Sequence, residues 1–368
     1  MGVASRRTSL LAVAALLAGA CSGGAQPRRP TFAYVANTDA NSISVFEMDP
    51  KTGQLTPRQT LDAPNPRYLE VHPSGLFLFV TEGTAQVAAL ALDPATGALA
   101  PVAGATAATG ADPFNITFDP AGRFLYVANV GSNTVSGYAV SADGHLAEIP
   151  GSPFAAGSLP YALVVDDSGR HLYVANRGSN TPADPGSVTA HAIDPASGAL
   201  APLAGSPYAA GNGPRAIELA AGGRFALVAN RFSNDVSVFG LDAATGALTE
   251  VAGSPFPAGG EPRSIAVAPS GRVALVANSA SNDVSAYAID AASGALSPVP
   301  GTPFPAGTTP LSVTVDDSGA WACASNRGSS DVSVYALDGA SGRLTPVATV
   351  PTGGSGFSVT TWQAGASR

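Results

Sequence analysis

The sequence is poor in the residues that build redox centres, metal sites and cross-links. Its 368 residues include two cysteines, two methionines and four histidines. Cys21 lies in an N-terminal leader and Cys323 is the only other cysteine, so no disulfide is expected in the folded body. The sequence also lacks a Cys-x-x-Cys-His haem motif, a His/Cys cluster for zinc, a Gly-x-Ser-x-Gly nucleophile motif and a phosphate-binding loop. We therefore expect no cofactor and no metal ion.

Charged side chains are also scarce, and acids outnumber bases. They make up 12% of the residues, with 26 Asp and Glu against 18 Lys and Arg. Cleavage of the leader would remove Arg6 and Arg7 but no acid, which leaves 16 bases against 26 acids and a net charge of −10. A chain of this sign is not expected to bind nucleic acid or anionic lipid through general electrostatic attraction.

The N-terminus has the pattern of an export signal. Arg6 and Arg7 precede an apolar run from Leu10 to Leu17 that is too short to cross a bilayer. The segment that ends at Cys21 resembles a bacterial lipoprotein box, which implies cleavage before Cys21 and lipid attachment to its thiol. Ala18-Gly19-Ala20 also suits ordinary signal peptidase, so plain secretion is the alternative.

These patterns predict the domain plan and the localisation. Residues 1–21 form the leader, 22–30 a flexible tether, 31–362 the folded domain and 363–368 a disordered tail. Ser22 favours the outer membrane by resemblance to sorted lipoproteins, and a periplasmic or secreted protein is the alternative. We expect a monomer that contacts the membrane only through the anchor at Cys21.

A short segment that usually ends in Asn recurs along the chain, most clearly as Leu125-Tyr126-Val127-Ala128-Asn129. The last residue of each copy is Asn37, Glu82, Asn129, Asn176, Asn230, Asn278 or Asn326. The intervals are 45, 47, 47, 54, 48 and 48 residues, which is the period of a four-stranded propeller blade rather than of a helical repeat. Cys323 takes a strand position where sister repeats carry Leu, which predicts a buried thiol.

The two ends of the chain predict how the ring closes. The repeats begin with strand-like segments at Phe32–Asn37, Ser42–Met48 and Leu55–Gln59, and they end with an unpaired strand at Phe357–Trp362. Pairing of the last strand with the first three completes a seventh blade and leaves no open sheet edge. We therefore predict an all-β, seven-bladed β-propeller that is closed by pairing of the C-terminal strand with the N-terminal strands.

The Tyr-Val-Ala-Asn segments resemble the Tyr-Val-Thr-Asn-like repeat of the lactonase-type seven-bladed propellers, over Thr31 to about Trp362. Members of that family are similar to 6-phosphogluconolactonase, to carboxymuconate cyclising enzymes and to surface proteins without known catalysis. In the enzymes, the resemblance implies a Pro-Arg-His at the start of an innermost strand and an Asn-Glu after the next strand. This chain has Pro214-Arg215-Ala216 and Asn230-Arg231 there, and Tyr161 stands where the enzymes tend to place another His.

Basic residues are predicted to converge on one face of the propeller. Because neighbouring strands run in opposite directions, the starts of the first strands, the ends of the second and the starts of the third share one face, here called the top face. The first strands are predicted to begin at the channel mouth with Arg67, Phe114, Tyr161, Arg215, Arg263, Leu311 and Phe357. Just beyond the second strands lie Arg177, Arg231 and Arg327.

Guanidinium groups beside aromatic rings suit a small planar anion such as a carboxylate or phosphate. We predict that the ligand is bound by Arg67, Tyr161, Arg177, Arg215, Arg231, Arg263 and Arg327. The alternative is that these arginines pair with nearby acids and tie the blades together. Glu82, which replaces the usual Asn, is the candidate catalytic base, and its alternative role is to hydrogen-bond the following turn.

Three functions follow from these patterns. The first is an exported, lipid-anchored propeller that binds a small anionic molecule. The second is a lactone hydrolase, for which the histidine and glutamate implied by the resemblance are missing. The third is an interaction platform of the cell envelope with a protein partner.

Overall fold

The computed structural model describes residues 30–179 and 185–365. The predicted leader, which ends at Cys21, lies outside the described residues, as does nearly all of the predicted tether. The described chain forms 32 strands, numbered β1–β32 in chain order, in seven antiparallel sheets. It contains no helix long and apolar enough to span a membrane.

Each sheet is one blade and uses four strands from the axis outward. The innermost strands are β4 (Pro66–Val71), β8 (Pro113–Phe118), β13 (Pro160–Val165), β18 (Pro214–Ala220), β23 (Pro262–Val267), β28 (Pro310–Val315) and β32 (Gly356–Gln363). The second strands are β5 (Phe77–Glu82), β9 (Phe124–Asn129), β14 (His171–Asn176), β19 (Phe225–Asn230), β24 (Val273–Asn278), β29 (Trp321–Asn326) and β1 (Thr31–Asn37).

The outer half of each blade is more exposed. The third strands are β6 (Gln86–Leu92), β10 (Thr134–Val140), β15 (Pro185–Ile193), β20 (Asp235–Leu241), β25 (Asp283–Ile289), β30 (Asp331–Leu337) and β2 (Ser42–Met48). The outermost strands are β7 (Leu99–Ala108), β11 (Leu146–Glu148), β16 (Leu200–Pro202), β21 (Leu248–Glu250), β26 (Leu296–Pro298), β31 (Leu344–Pro351) and β3 (Leu55–Asp62). Short strands also pair with four third strands: β12 (Phe154–Ala155), β17 (Tyr208–Asn212), β22 (Phe256–Pro257) and β27 (Phe304–Pro305).

The repeated segment forms the buried second strand of each blade, which explains its apolar sequence. In β9 every residue is buried, and the Tyr126 hydroxyl donates to the Gly198 carbonyl of the next blade at 2.8 Å. The terminal Asn129 amide donates to Ser136 Oγ at 2.9 Å, which ties the hairpin to the third strand. Cys323 is fully buried in β29, and burial raises the pKa of its thiol to about 12. The prediction of a buried thiol is therefore confirmed.

The ring closes as the sequence predicts, because β32 pairs with β1 and completes the sheet β3-β2-β1-β32. Val35 lies opposite Val359, and Phe32 stacks on Trp362 with ring centroids 6.3 Å apart. The strand is one residue longer at each end than predicted. Gln363, which the sequence places in the tail, is paired with Thr31. The all-β, seven-bladed propeller and its closure are confirmed.

Candidate ligand site on the propeller axis

A cavity of about 170 Å³ lies on the axis and is lined by all seven innermost strands. Six of the seven predicted mouth residues line it: Phe114, Tyr161, Arg215, Arg263, Leu311 and Phe357. Arg67 is the exception, and its neighbour Tyr68 lines the cavity instead. The cavity is smaller than the pockets of about 300–1,000 Å³ that hold drug-sized ligands. It therefore suits a small molecule.

Backbone irregularities direct the mouth residues toward the axis. The pairing register shifts between Pro214 and Ala216 at the start of β18, which leaves Arg215 out of the ladder. The same shift occurs at Tyr161 and Arg263 in their own blades. A bulge of this kind re-aims the side chain of the extra residue. The Pro-x start of the innermost strand is therefore the local signal that places a side chain in the channel mouth.

Arg215 is the most buried arginine of the cavity and has no carboxylate within ion-pairing distance among the described residues. Its guanidinium lies 3.8 Å from the Tyr161 ring centroid and 4.6 Å from that of Phe114. The pKa of Arg215 is lowered to about 9, mainly by burial; the charges of Arg263 and Arg177 act in the same direction, while Tyr161 opposes them. Cation–π contacts of this kind stabilise a desolvated guanidinium by roughly 2 kcal/mol but do not neutralise its charge.

Tyr161 lies between two guanidinium groups. Arg177 Nη1 donates to the Tyr161 hydroxyl at 3.0 Å, while Arg215 covers the ring. Burial alone would raise the pKa of Tyr161, but the charges of Arg215 and Arg177 outweigh it and lower that pKa below its usual value. Arg177 is itself buried and stacks on Phe232, with 5.0 Å between the guanidinium carbon and the ring centroid.

The other four predicted arginines are paired with acids. Arg231 and Arg263 share Glu261 at 2.9 and 3.0 Å, and Arg263 Nε also donates to Ser279 Oγ at 2.8 Å. Arg67 pairs with Asp112 at 2.6 Å, and Arg327 pairs with Asp39 at 3.4 Å. These four arginines thus form the ion pairs with nearby acids that the sequence analysis gave as the alternative to ligand binding. Arg263 also lines the cavity.

Glu82 lies at the end of β5, in the position that Asn129 has in its own blade. The side chain is buried, and Thr84 Oγ1 donates to its carboxylate at 3.4 Å. Burial raises the pKa of Glu82. Among the described residues that line the axial cavity, Glu82 is absent. The hydrogen bond from Thr84 is the contact that the turn-bonding alternative predicts.

Two carboxylates that the sequence analysis did not single out line the cavity instead. Glu218 lies in β18, three residues after Arg215, and Glu70 lies in β4. The pKa of Glu218 is raised to about 7, mainly by burial; the Leu219 amide opposes this shift, while the charges of Glu70 and Asp167 contribute to it. Glu218 also lines a cavity of about 400 Å³ farther along the channel. It therefore lies at mid-depth, facing both spaces.

The raised pKa of Glu218 makes the free energy of unfolding depend on pH. Folded protein keeps this proton up to about pH 7, whereas the unfolded chain releases it near the ordinary value of 4.5. The folded state therefore loses stability, relative to Glu218→Gln, as the pH rises from 4.5 to 7. At pH 8 we expect Glu218→Gln to exceed wild type by about 1–3 kcal/mol in free energy of unfolding and to melt several degrees higher. At pH 5 the two proteins should melt at nearly the same temperature.

The control is Glu250→Gln, which changes an exposed glutamate at the end of β21. Thermal melts at both pH values measure the difference. Equal Tm differences between Glu218→Gln and wild type at pH 5 and pH 8 would contradict the assigned environment.

Comparison with known proteins places the chain in a family. Residues 31–150, 104–213, 149–259 and 205–311 match the family described as lactonase, seven-bladed β-propeller. Because these segments together cover most of the chain, the protein belongs to the lactonase family of seven-bladed β-propellers. No curated protein matches it in sequence.

Solved structures share the fold at low identity. The periplasmic gluconolactonase PpgL of Pseudomonas aeruginosa superposes with a TM-score of 0.76 at 24% identity, covering 91% of this chain and 99% of that one. A candidate 6-phosphogluconolactonase of Bacteroides uniformis superposes with a TM-score of 0.77 at 21% identity, covering 91% of this chain and 100% of that one. Hydrazine synthase of Kuenenia stuttgartiensis superposes with a TM-score of 0.62 at 17% identity, covering 87% of this chain and 99% of that one. Proteins of different chemistry thus share this scaffold, so the site has to carry the functional argument.

Proposed function

We propose that the axial cavity binds a small anionic ligand, a carboxylate or phosphate, whose charge is neutralised by Arg215. The observation that carries this proposal is a buried guanidinium with no acidic partner among the described residues. A buried charge without a counter-charge is costly, so a site that retains one is suited to a ligand that supplies it. Arg177 stands behind Tyr161 and adds positive potential to the same side of the cavity.

The lining narrows the class of ligand. Phe114 and Tyr161 offer aromatic faces. Asn115, Ser264 and Ser312 make the lining polar deeper in the channel, where each also hydrogen-bonds backbone of a neighbouring blade. A small polyhydroxylated acid, such as an aldonate or a phosphorylated sugar, combines an anionic group with apolar C–H faces and hydroxyls. A long or bulky molecule does not fit a cavity of about 170 Å³.

The test is a Tm survey of the mature protein with aldonates, their lactones, phosphosugars and dicarboxylates. A ligand at about 100 times its Kd that binds only the folded state adds about 2.7 kcal/mol and raises Tm measurably. We expect a selective rise with one class of anion. No rise with any of them would contradict the proposal and favour the third function, an envelope interaction platform that contacts a protein partner.

We also propose export and lipid attachment at Cys21, which the leader pattern supports. One structurally similar protein, PpgL, is named as periplasmic. The test is membrane fractionation of wild type against Cys21→Ala. Release of the variant from the membrane fraction is expected, and equal distribution of the two would contradict lipidation.

A second candidate function is opening of a small lactone, and Glu218 favours it. A base that activates water works best when its pKa lies near the operating pH, and the pKa of Glu218 is about 7. At about 3.3 Å per residue, the Cα atoms of Arg215 and Glu218 lie roughly 10 Å apart along β18, which leaves room for a small ring between their side chains. Arg215 can then stabilise the negative charge that develops on the carbonyl oxygen.

We expect Glu218→Gln to lower kcat for lactone opening by about 10²–10⁴-fold, because loss of a general base has effects of this size. Turnover of aldonolactones measures it, and Glu250→Gln serves as the control at an exposed glutamate. The earlier candidate Glu82 predicts the reverse pattern. Loss of turnover in Glu82→Gln with full turnover in Glu218→Gln would overturn the assignment of Glu218.

A further inference from the structure

We infer that Tyr161 is the general acid of the axial cavity and gives its hydroxyl proton to the ring oxygen that leaves when a bound lactone opens. This inference rests on the lactone-opening function proposed above. It assigns the proton donor that complements Glu218, the base that lies farther along the channel on the neighbouring innermost strand β18.

The hydrogen bonds of Tyr161 carry the inference. Its hydroxyl oxygen accepts from Arg177 Nη1 at 3.0 Å. Within residues 30–179 and 185–365, no group accepts the hydroxyl hydrogen itself. Arg215 covers one face of the ring, and Phe114 meets Tyr161 edge-on with centroids 4.8 Å apart. Since Tyr161 lines the cavity, a ligand oxygen there is the acceptor that the hydroxyl lacks.

The charges around Tyr161 stabilise the phenolate that proton transfer creates. Arg177 faces it from the end of β14, and Arg215 faces it from β18. Phe114 of β8 brings no charge, and the rim acid Glu261 is held by Arg231 and Arg263. The lowered pKa of Tyr161 agrees with this arrangement, because the two guanidinium charges outweigh the effect of burial. A phenol with such neighbours is a stronger acid than tyrosine in water.

Opening of the lactone uses Glu218, Arg215 and Tyr161 in turn. Water adds through its oxygen to the lactone carbonyl carbon while Glu218 takes one water proton, and the carbonyl electron pair moves onto the oxygen beside Arg215. When that pair returns, the bond between the carbonyl carbon and the ring oxygen breaks. Tyr161 protonates the leaving oxygen and becomes a phenolate. The proton on Glu218 then returns to Tyr161 through water, and the product is a hydroxy acid that ionises against Arg215.

The test is Tyr161→Phe with two substrates, D-glucono-1,5-lactone and its analogue with sulfur in place of the ring oxygen. A thiolate leaves without prior protonation, whereas an alkoxide needs a proton. We expect kcat for the oxygen lactone to fall by about 10²–10⁴-fold, and kcat for the thiolactone to fall at least about tenfold less.

The matched control is Tyr208→Phe, which removes a tyrosine hydroxyl from β17 outside the axial cavity. Equal losses on both substrates would overturn the inference, because a merely structural role does not depend on the leaving atom. Unchanged turnover of the oxygen lactone in Tyr161→Phe would overturn it too. If wild type opens neither lactone, the result contradicts the proposed lactone opening and, with it, the role of Tyr161 as general acid.

Discussion

Deletion of residues 356–368 should abolish cooperative folding or lower the free energy of unfolding by more than about 5 kcal/mol. The deletion removes β32, in which Val359 and Trp362 are buried, and exposes the edge of β1. Each large apolar side chain that loses its burial contributes about 1.5–3 kcal/mol. Domains have only about 5–15 kcal/mol of total stability, so a loss of this size is severe.

The control for this deletion is a chain that ends at Gln363 and keeps the whole of β32. It should melt within a few degrees of the full-length protein. Thermal or urea unfolding compares the two. If the chain that ends at residue 355 melted together with the control, the C-terminal strand would not close the ring.

Replacement of Arg215 by Met should remove anion binding while leaving the unliganded fold almost unchanged. Methionine fills similar space between Tyr161 and Phe114, and removal of a buried charge without an acidic partner offsets the lost cation–π contacts. Loss of the charge that pairs with a buried anion typically costs about 2–5 kcal/mol, so affinity should fall at least about 30-fold. Titration calorimetry with the anion selected by the Tm survey measures this change.

Arg327→Met is the matched control, because Arg327 is half exposed and pairs with Asp39 on the rim. Surface ion pairs contribute about 0–1 kcal/mol, so neither stability nor affinity should change appreciably. Equal loss of affinity in both variants would indicate a diffuse attraction to the top face. Retained affinity in Arg215→Met would show that the anion does not bind in the axial cavity.

The fold could be predicted from the sequence because its signals are local and repeated. Seven copies of one segment gave the blade count, and the surplus strand at the C-terminus gave the closure. The direction of the strands was enough to place Tyr161 and Arg215 at the mouth of the axial channel, since each follows a proline that starts an innermost strand. These inferences need only periodicity and strand polarity.

The pairing of the arginines could not be predicted in the same way. Arg231 and Arg263 meet one carboxylate, Glu261, although Arg231 follows the second strand of the preceding blade, 30 residues before Glu261. Whether a long side chain reaches an acid or the cavity depends on distances between blades that a sequence does not contain. The composition of the top face was thus predictable, but the distinction between Arg215 and its paired neighbours required the structure.

Glu218 could have been found from the sequence, but only the first residue of each innermost strand was considered as a channel residue. The innermost strands present alternate residues to the channel after the bulge, so Ala216 and Glu218 both line the cavity. A search along each innermost strand would have found Glu218 and Glu70. Glu82 attracted attention because it breaks the Asn repeat, but residues at that repeat position hydrogen-bond within their own hairpin, and Glu82 is not among the described residues that line the axial cavity.

Arg215 should pair with an anionic ligand in the axial cavity. A crystal structure of the protein with the aldonate that raises Tm most tests it directly. We expect a carboxylate oxygen about 3 Å from an Arg215 guanidinium nitrogen, with a ligand oxygen at similar distance from the Tyr161 hydroxyl. An aldonate bound elsewhere, with the axial cavity holding only water at saturating ligand, would contradict it.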